Sequence, residues 1–357
     1  MTLPLVENIL AQPEAIRTVA AYQFGDGKDA LVASAALLRS RRRIMLSGMG
    51  ASLSACIPVT NYLASKGVLA PVIETSELLY SYPHAFDEHT AVILVSRSGE
   101  TIEATKLLPI LRERKVTVIG VTNVPGSTLD STSTQALCLH SPPDQLVAIQ
   151  TYTASAIVLL LLGAALRDEL DSNVRSELDV AANALSQWIP ECFEASSHWT
   201  SFLEPRSPLY LLGRGASLAS VAAGVLLLHE VAKAPAVGMS AANFRHGPVE
   251  VVDDQFHAVI FGSEQKTADL DAALAEDLGR MTGDVRWIGP PVTGRNVVSL
   301  CPWPANVPDR FAPIFEVIPL QIAACQLAER RGIVPGDFRH APAITVSETG
   351  FGRPGSA

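Results

Sequence analysis

The sequence predicts an α/β fold built twice along one chain, each copy a parallel sheet flanked by helices in an α/β/α sandwich. Three observations lead there. Short apolar runs alternate with longer segments of helical period, the pattern of a parallel sheet covered on both faces. The pattern Gly-x-Gly-Ala-Ser-Leu occurs at Gly48–Leu53 and again at Gly213–Leu218, each time after a strand and before a helix. The composition, 48% hydrophobic and 18% charged over 357 residues, supplies enough apolar surface for about two domains.

In chain order, residues up to about Leu38 read as helical, with a break at Gly25-Asp26-Gly27. Arg43–Ser47 reads as a strand, Gly48–Ser52 as a glycine-rich loop, and a helix runs on to about Lys66, followed by a short strand near Val72. Ala91–Val95 is a buried strand, Ile102–Arg114 a helix, Val116–Val121 the next strand and Ala136–Leu139 a further short one. A polar loop over 144–150 opens a long apolar helix ending near Leu170, and 171–205 reads as a more polar helical connection. The pattern restarts with strand Leu209–Leu212 and a helix from about Leu218 to Ala234, where Pro235 stops it. The expected organisation is an N-terminal helical segment 1–38, a first domain 39–170, a connecting segment 171–205, a second domain 206–332 and a tail 333–357.

Composition narrows the function classes. Net charge is −9, and only Arg39 with Arg41–Arg43 forms a basic block, so no nucleic-acid partner is expected. The five cysteines, Cys56, Cys138, Cys192, Cys301 and Cys325, are scattered and do not have metal-ligand spacing, which implies free thiols in a reducing compartment. The N-terminus lacks a signal-peptide pattern. The longest apolar run, Ala156–Leu166, is shorter than the about 20 residues that span a bilayer, and reads as a core helix. A soluble cytoplasmic protein without a membrane partner is expected.

Candidate chemistry concentrates at Ser96-Arg97-Ser98-Gly99-Glu100-Thr101. A buried strand precedes it and a helix follows. Hydroxyls, free backbone N–H groups and an arginine thus converge at one helix N-terminus, which suits a dianionic phosphate. The alternative is an ordinary Ser/Thr helix cap beside a solvated arginine, and the stretch alone does not choose. The corresponding stretch of the second half, Phe261–Thr267, lacks the paired serines and carries Glu264, so one phosphate site per chain is expected, in the first half. A dinucleotide site is disfavoured because Gly48-x-Gly50-x-x-Leu53 lacks the third glycine.

A second group lies further on. Glu230 falls in the last turn of its helix, where the negative end of the dipole favours protonation and would suit a proton shuttle. The competing reading is a solvated pair with Lys233. His246, in Asn243-Phe244-Arg245-His246-Gly247-Pro248, sits in a turn and titrates near neutrality; it could move a proton or only bond nearby backbone.

Taken together, Ser96–Thr101, the duplicated Gly-x-Gly-Ala-Ser loops and Glu230 followed by His246-Gly247-Pro248 resemble the tandem sugar isomerase (SIS) domains, and in particular the isomerase half of the glucosamine-6-phosphate synthase family. Asn123–Ser127 and Ala312–Phe315 with Pro319-Leu320-Gln321 fit the same pattern. The similarity runs from about residue 40 to 350. It implies two tandem SIS domains and a hexose 6-phosphate or amino-hexose 6-phosphate as substrate. Ser52, Ser96, Ser98 and Thr101 would hold the phosphate; Arg97 stands where the family has glutamine and would add charge. Val147 and Ile149 belong to a loop whose backbone would touch sugar hydroxyls. By the same resemblance Glu230 would move the proton between C1 and C2, and His246 would open the sugar ring from the neighbouring subunit, which implies a homodimer with shared active sites. No cofactor or metal is expected.

The chain also departs from the family. No cysteine precedes Cys56, so a glutaminase domain and glutamine-dependent synthesis are not expected. Leu227 replaces a lysine one turn before Glu230. Ala343 stands at the Schiff-base lysine of the family tail, and Lys266 is the last lysine in the chain. The expectation is a phosphosugar isomerase or an aminosugar-phosphate deaminase/isomerase. A catalytically silent sugar-phosphate-binding protein is the alternative. A DNA-binding regulator is disfavoured, since no helix-turn-helix segment precedes the first domain.

Overall fold

The structure, a computed structural model, describes residues 3–199, 202–203, 208–282, 284–340 and 344–349. It divides into two compact units, one formed by residues 14–179 and 338–357, the other by 1–13 and 180–337.

The first unit is built on strands β1 (Arg43–Gly48), β2 (Thr90–Val95), β3 (Thr117–Thr122) and β4 (Gln135–Cys138), all parallel and in spatial order β1-β2-β3-β4. Every residue of β2 and β3 is buried, as strands covered on both faces require. The strand expected near Val72 is reduced to a single parallel bridge with Leu46. The helix Gln150–Leu166 is buried at every position, so it is the core helix its apolarity predicts, ending four residues before Leu170. Arg39 closes its C-terminal end, donating to the carbonyls of Ala165 and Leu166 and to Asp168. Arg41 donates to Thr117 Oγ1 at 2.7 Å and Arg43 pairs with Asp87, so much of the basic block is committed to local ties. Truncating a leucine of this helix to alanine would cost about 2–5 kcal/mol.

The second unit carries β5 (Leu209–Gly213), β6 (Ala236–Ser240), β7 (Ala258–Phe261) and β8 (Val285–Ile288), again all parallel, in order β6-β5-β7-β8, with Trp287 bridged to Ser299. When the single bridges at Val72 and Ser299 are included, both sheets have the same connection order, with β5 in the place of β1 and β7 in the place of β2. The helix Ser172–Ala195 leads from one unit into the other and ends ten residues before Pro205. The N-terminal helix Pro4–Leu10 joins the second unit, where Gln12 donates to Gln321 on the helix Ile318–Arg330 at 2.8 Å. The stretch Asp309–Arg330 has the length and apolarity of a membrane span, but 94% of its most apolar window is buried as core. The cysteines are free thiols, buried except for Cys138, which is partly exposed.

Candidate functional site

Parallel pairing decides which loops meet. Gly48 lies opposite Val95, and Val95 opposite Val121, so the loops after β1, β2 and β3 leave the same edge of the sheet at the same level. This brings Ser52, the Ser96–Thr101 loop and the Asn123–Ser127 turn to one edge, the carboxyl edge where parallel α/β sheets carry their ligands.

Ser52 lies in the helix Gly50–Ala55. That helix packs so closely on the strand end that a Cβ on Gly48 would stand 2.9 Å from Leu53 N, and Gly50 has φ 51°. The two glycines of the loop are thereby explained by close approach and by a left-handed turn.

The loop after β2 is held from within. Ser96 is buried; its Oγ accepts the Gly99 N–H at 3.1 Å and lies 2.8 Å from Thr101 Oγ1. Ser98 Oγ accepts the Glu100 N–H at 3.2 Å. Gly99 has φ 69°, and a Cβ there would stand 2.0 Å from Ser127 Oγ. Glu100 turns away and accepts from the N–H and hydroxyl of Thr128, at 2.6 and 2.8 Å. Thr101 precedes the helix Ile102–Glu113 without a side-chain cap bond, so its hydroxyl is not spent as an ordinary N-cap. The guanidinium of Arg97 reaches the Leu146 carbonyl at 3.3 Å, tying this loop to the one carrying Val147 and Ile149.

Val147 and Ile149 are buried. The N–H groups of Ile149, Gln150 and Thr151 all donate to the Asp144 carboxylate, at 3.1, 2.8 and 3.0 Å. Asp144 therefore caps the core helix, and those amides are committed within the chain. Sequence reading gave Asp144 no role; an Asp six residues ahead of a helix is the signal that could have marked it. A second contact also escaped it: the Thr345 carbonyl accepts the Ile102 N–H at 3.1 Å, and Glu348 accepts from Tyr80 Oη and Lys106 Nζ. The tail thus lies on the helix that follows the hydroxyl loop. Ala343 lies outside the described residues.

Glu230 and His246 belong to the second unit. Glu230 is the last residue of the helix Leu218–Glu230, which stops short of the expected Ala234, and is partly buried. Lys233, in the left-handed conformation at φ 51°, donates its ammonium to the backbone carbonyls of Glu230 and Asp337, while Arg331 donates to the carbonyls of Ala232 and Lys233. These contacts fix the helix end that presents Glu230. His246 is exposed in the turn after the helix Ala241–Phe244, and Gly247 has φ 119°, which accounts for the glycine beside it. The helix runs back from the carboxyl end of β5 to the amino end of β6, whereas His246 follows the carboxyl end of β6. Within one chain the two are therefore separated by the length of that strand, roughly 13 Å at about 3.3 Å per residue.

Residues 37–165 match the SIS domain family. This stretch of the chain is a SIS domain. Over 349 residues the chain is 28% identical to the glutamine–fructose-6-phosphate aminotransferase of Pyrococcus horikoshii, covering 96% of this chain and 57% of that protein. The chain thus spans little more than half of that relative. Its fold matches the tagatose-6-phosphate ketose/aldose isomerase of Escherichia coli (TM-score 0.77, 20% identity, 94% of this chain and 96% of that one). It also matches the glucosamine-6-phosphate deaminase of Thermotoga maritima (TM-score 0.76, 16% identity, 96% and 99%). The SIS domain carries the hydroxyl loop, and the resemblance to the isomerase half of the aminotransferases covers nearly the whole chain. One fold thus carries the different activities these names state.

Proposed function

We propose that this protein is a phosphosugar isomerase or an aminosugar-phosphate deaminase/isomerase acting on a hexose 6-phosphate or its 2-amino form. The observation that carries the reading is the Ser96–Thr101 hydroxyl pair at the carboxyl edge of the first sheet, with Ser98 in the same loop and Ser52 in the short helix after the adjacent strand. Ser96 Oγ accepts the Gly99 N–H and shares one hydrogen bond with Thr101 Oγ1, so one of the two hydroxyl protons is left for a ligand. Hydroxyls and helix N–H groups then receive the phosphate, and Arg97 adds charge.

Chemistry at C1 and C2 is assigned to Glu230. Its carboxylate takes the proton from C2 of the open-chain aldose to give an enediolate, the O2 hydroxyl proton passes to O1, and the same carboxyl returns its proton to C1, leaving the C2 ketone. For an amino sugar, protonation of the corresponding enolamine at C1 gives a C2 imine, and water adds at C2 to release ammonia and leave the ketose. Proton transfer of this kind needs no metal or cofactor. His246 is assigned to ring opening. Its separation from Glu230 along β6 supports a site completed by a second copy of the chain, as a homodimer would provide.

A silent sugar-phosphate-binding protein is the second reading. It is favoured by the buried Leu227 and by the commitment of the Lys233 ammonium to backbone carbonyls. Incubation with hexose 6-phosphates in D2O separates the two. An isomerase exchanges deuterium into C1 or C2, whereas a binder is stabilised by the ligand and exchanges nothing.

A further inference from the structure

The second unit repeats the loop arrangement of the first, yet it is closed by its own side chains. Ser217, in the place of Ser52, and Ser220 one turn on donate to the two carboxyl oxygens of Glu316, each at 2.8 Å. The backbone N–H of Ser263, in the loop after β7, donates to the same carboxyl at 3.0 Å. Glu316 is completely buried. It ends the helix Ala312–Glu316, ahead of the long buried helix Ile318–Arg330, much as Gln150 opens the buried helix of the first unit.

A second, separate observation agrees. Gly262 follows β7 where Ser96 follows β2. The ring of the buried Trp287 fills the space a side chain would need there: a Cβ on Gly262 would stand 1.8 Å from Trp287 Cη2. Where the first unit carries a hydroxyl, the second carries an indole.

We infer that the loops of the second unit form a latent anion site whose tenant is the carboxyl group of Glu316, and that removing this side chain opens the site to inorganic phosphate. A carboxyl is the nearest protein analogue of a phosphate face, and here it draws on the serine of the repeated loop, a helix-start serine and a backbone N–H. Burial pushes the Glu316 carboxyl upward from the ordinary range, while the donors from Ser263, Ser220 and Ser217 oppose the shift. The Ser220 hydroxyl also lies within reach of the Pro313 carbonyl, at 3.2 Å. The group is therefore satisfied without any ligand. The inference does not depend on what the first unit binds.

The test compares wild type, Glu316→Gln and Glu316→Ala by titration calorimetry with inorganic phosphate. The expected result is one more phosphate per chain for Glu316→Ala than for wild type, with Glu316→Gln unchanged because the amide still fills the site. A crystal of the alanine variant with phosphate should show it against Ser217, Ser220 and Ser263 N. A folded Glu316→Ala protein with no added stoichiometry overturns the inference, as does an equal gain in Glu316→Gln. If Glu316→Ala does not fold in plain buffer, phosphate should restore its folding or that of Glu316→Ser. Failure of phosphate to rescue either variant also overturns it.

Discussion

The hydroxyls of Ser96 and Thr101 lie 2.8 Å apart and bond to each other across the turn at Gly99. This contact holds the two ends of the loop together before any ligand arrives, so the donors are pre-set and little ordering remains when phosphate binds. Ser98→Ala and Thr101→Ala are each expected to weaken sugar-phosphate binding by roughly 1–3 kcal/mol, the size of a hydrogen bond to a charged group. Calorimetry with a hexose 6-phosphate reads the loss. Free glucose or fructose should bind far more weakly to the wild type, and equal affinity would show that the loop does not hold a phosphate.

Gly99→Ala tests the same loop from the backbone. The new Cβ meets Ser127 Oγ at 2.0 Å and sits on a residue with φ 69°. Left-handed strain alone costs about 1–3 kcal/mol, and the clash adds to it. Thermal unfolding should fall, and sugar-phosphate affinity should fall with it. An unchanged melting temperature would mean that the loop adopts another path.

Glu230→Gln keeps the shape of the side chain and removes the base. Turnover should drop by at least about 10²-fold while ligand affinity stays nearly intact. His246→Asn should slow turnover mainly on the cyclic sugar. Co-assembled Glu230→Gln and His246→Asn chains should recover part of the activity, because one of the mixed sites then holds both native residues. No recovery after confirmed subunit exchange would place each site within a single chain.

Lys233 is the nearest amine in sequence to Glu230, but its ammonium already donates to two backbone carbonyls. An imine needs a free amine on the carbonyl carbon. Borohydride added with a ketose 6-phosphate is therefore expected to leave the protein mass unchanged. A reduced sugar adduct found by mass spectrometry, on Lys233 or any other lysine, would reverse that assignment.

The tail contact should respond to acid. Lys106 and then Tyr80 hold the Glu348 carboxyl below the ordinary carboxylate range. Its folded-state pKa is lowered, so its contribution is present above the unfolded value and is lost as pH falls through the folded one, a window below about pH 4. Protection of the Ile102 amide, which donates to the Thr345 carbonyl, should fall in that window, its exchange approaching the intrinsic rate. Glu348→Gln should remove the pH dependence; a wild-type profile that matches the variant's would detach Glu348 from tail docking.

Much of the first sheet was legible in the chain because its signals are local. The run Ala91–Val95 is apolar at every position, and the glycines at 48 and 50 mark a turn that only a close helix start requires. Val72 misled because one residue of correct type in a short segment does not reveal how many neighbours pair with it. Glu230 could be placed near a helix end from Pro235, although the left-handed Lys233 ends the helix earlier. The contacts of Asp144, Thr345 and Glu316 were not legible. Each joins groups whose meeting is decided by the fold rather than by sequence period, and Glu316 in particular sits within an apolar stretch that gives no sign of the serines it reaches.

The indole of Trp287 over Gly262 also orders the history open to this chain. A serine at 262 meets the ring at once, so that change is blocked while the tryptophan stands. Shrinking Trp287 first leaves a large void in the core, at a cost of about 3–5 kcal/mol. Each step alone is destabilising, and the carboxyl of Glu316 would still have to leave. The asymmetry between the two halves therefore works as a ratchet: a return to two equivalent loops requires several coordinated replacements rather than one.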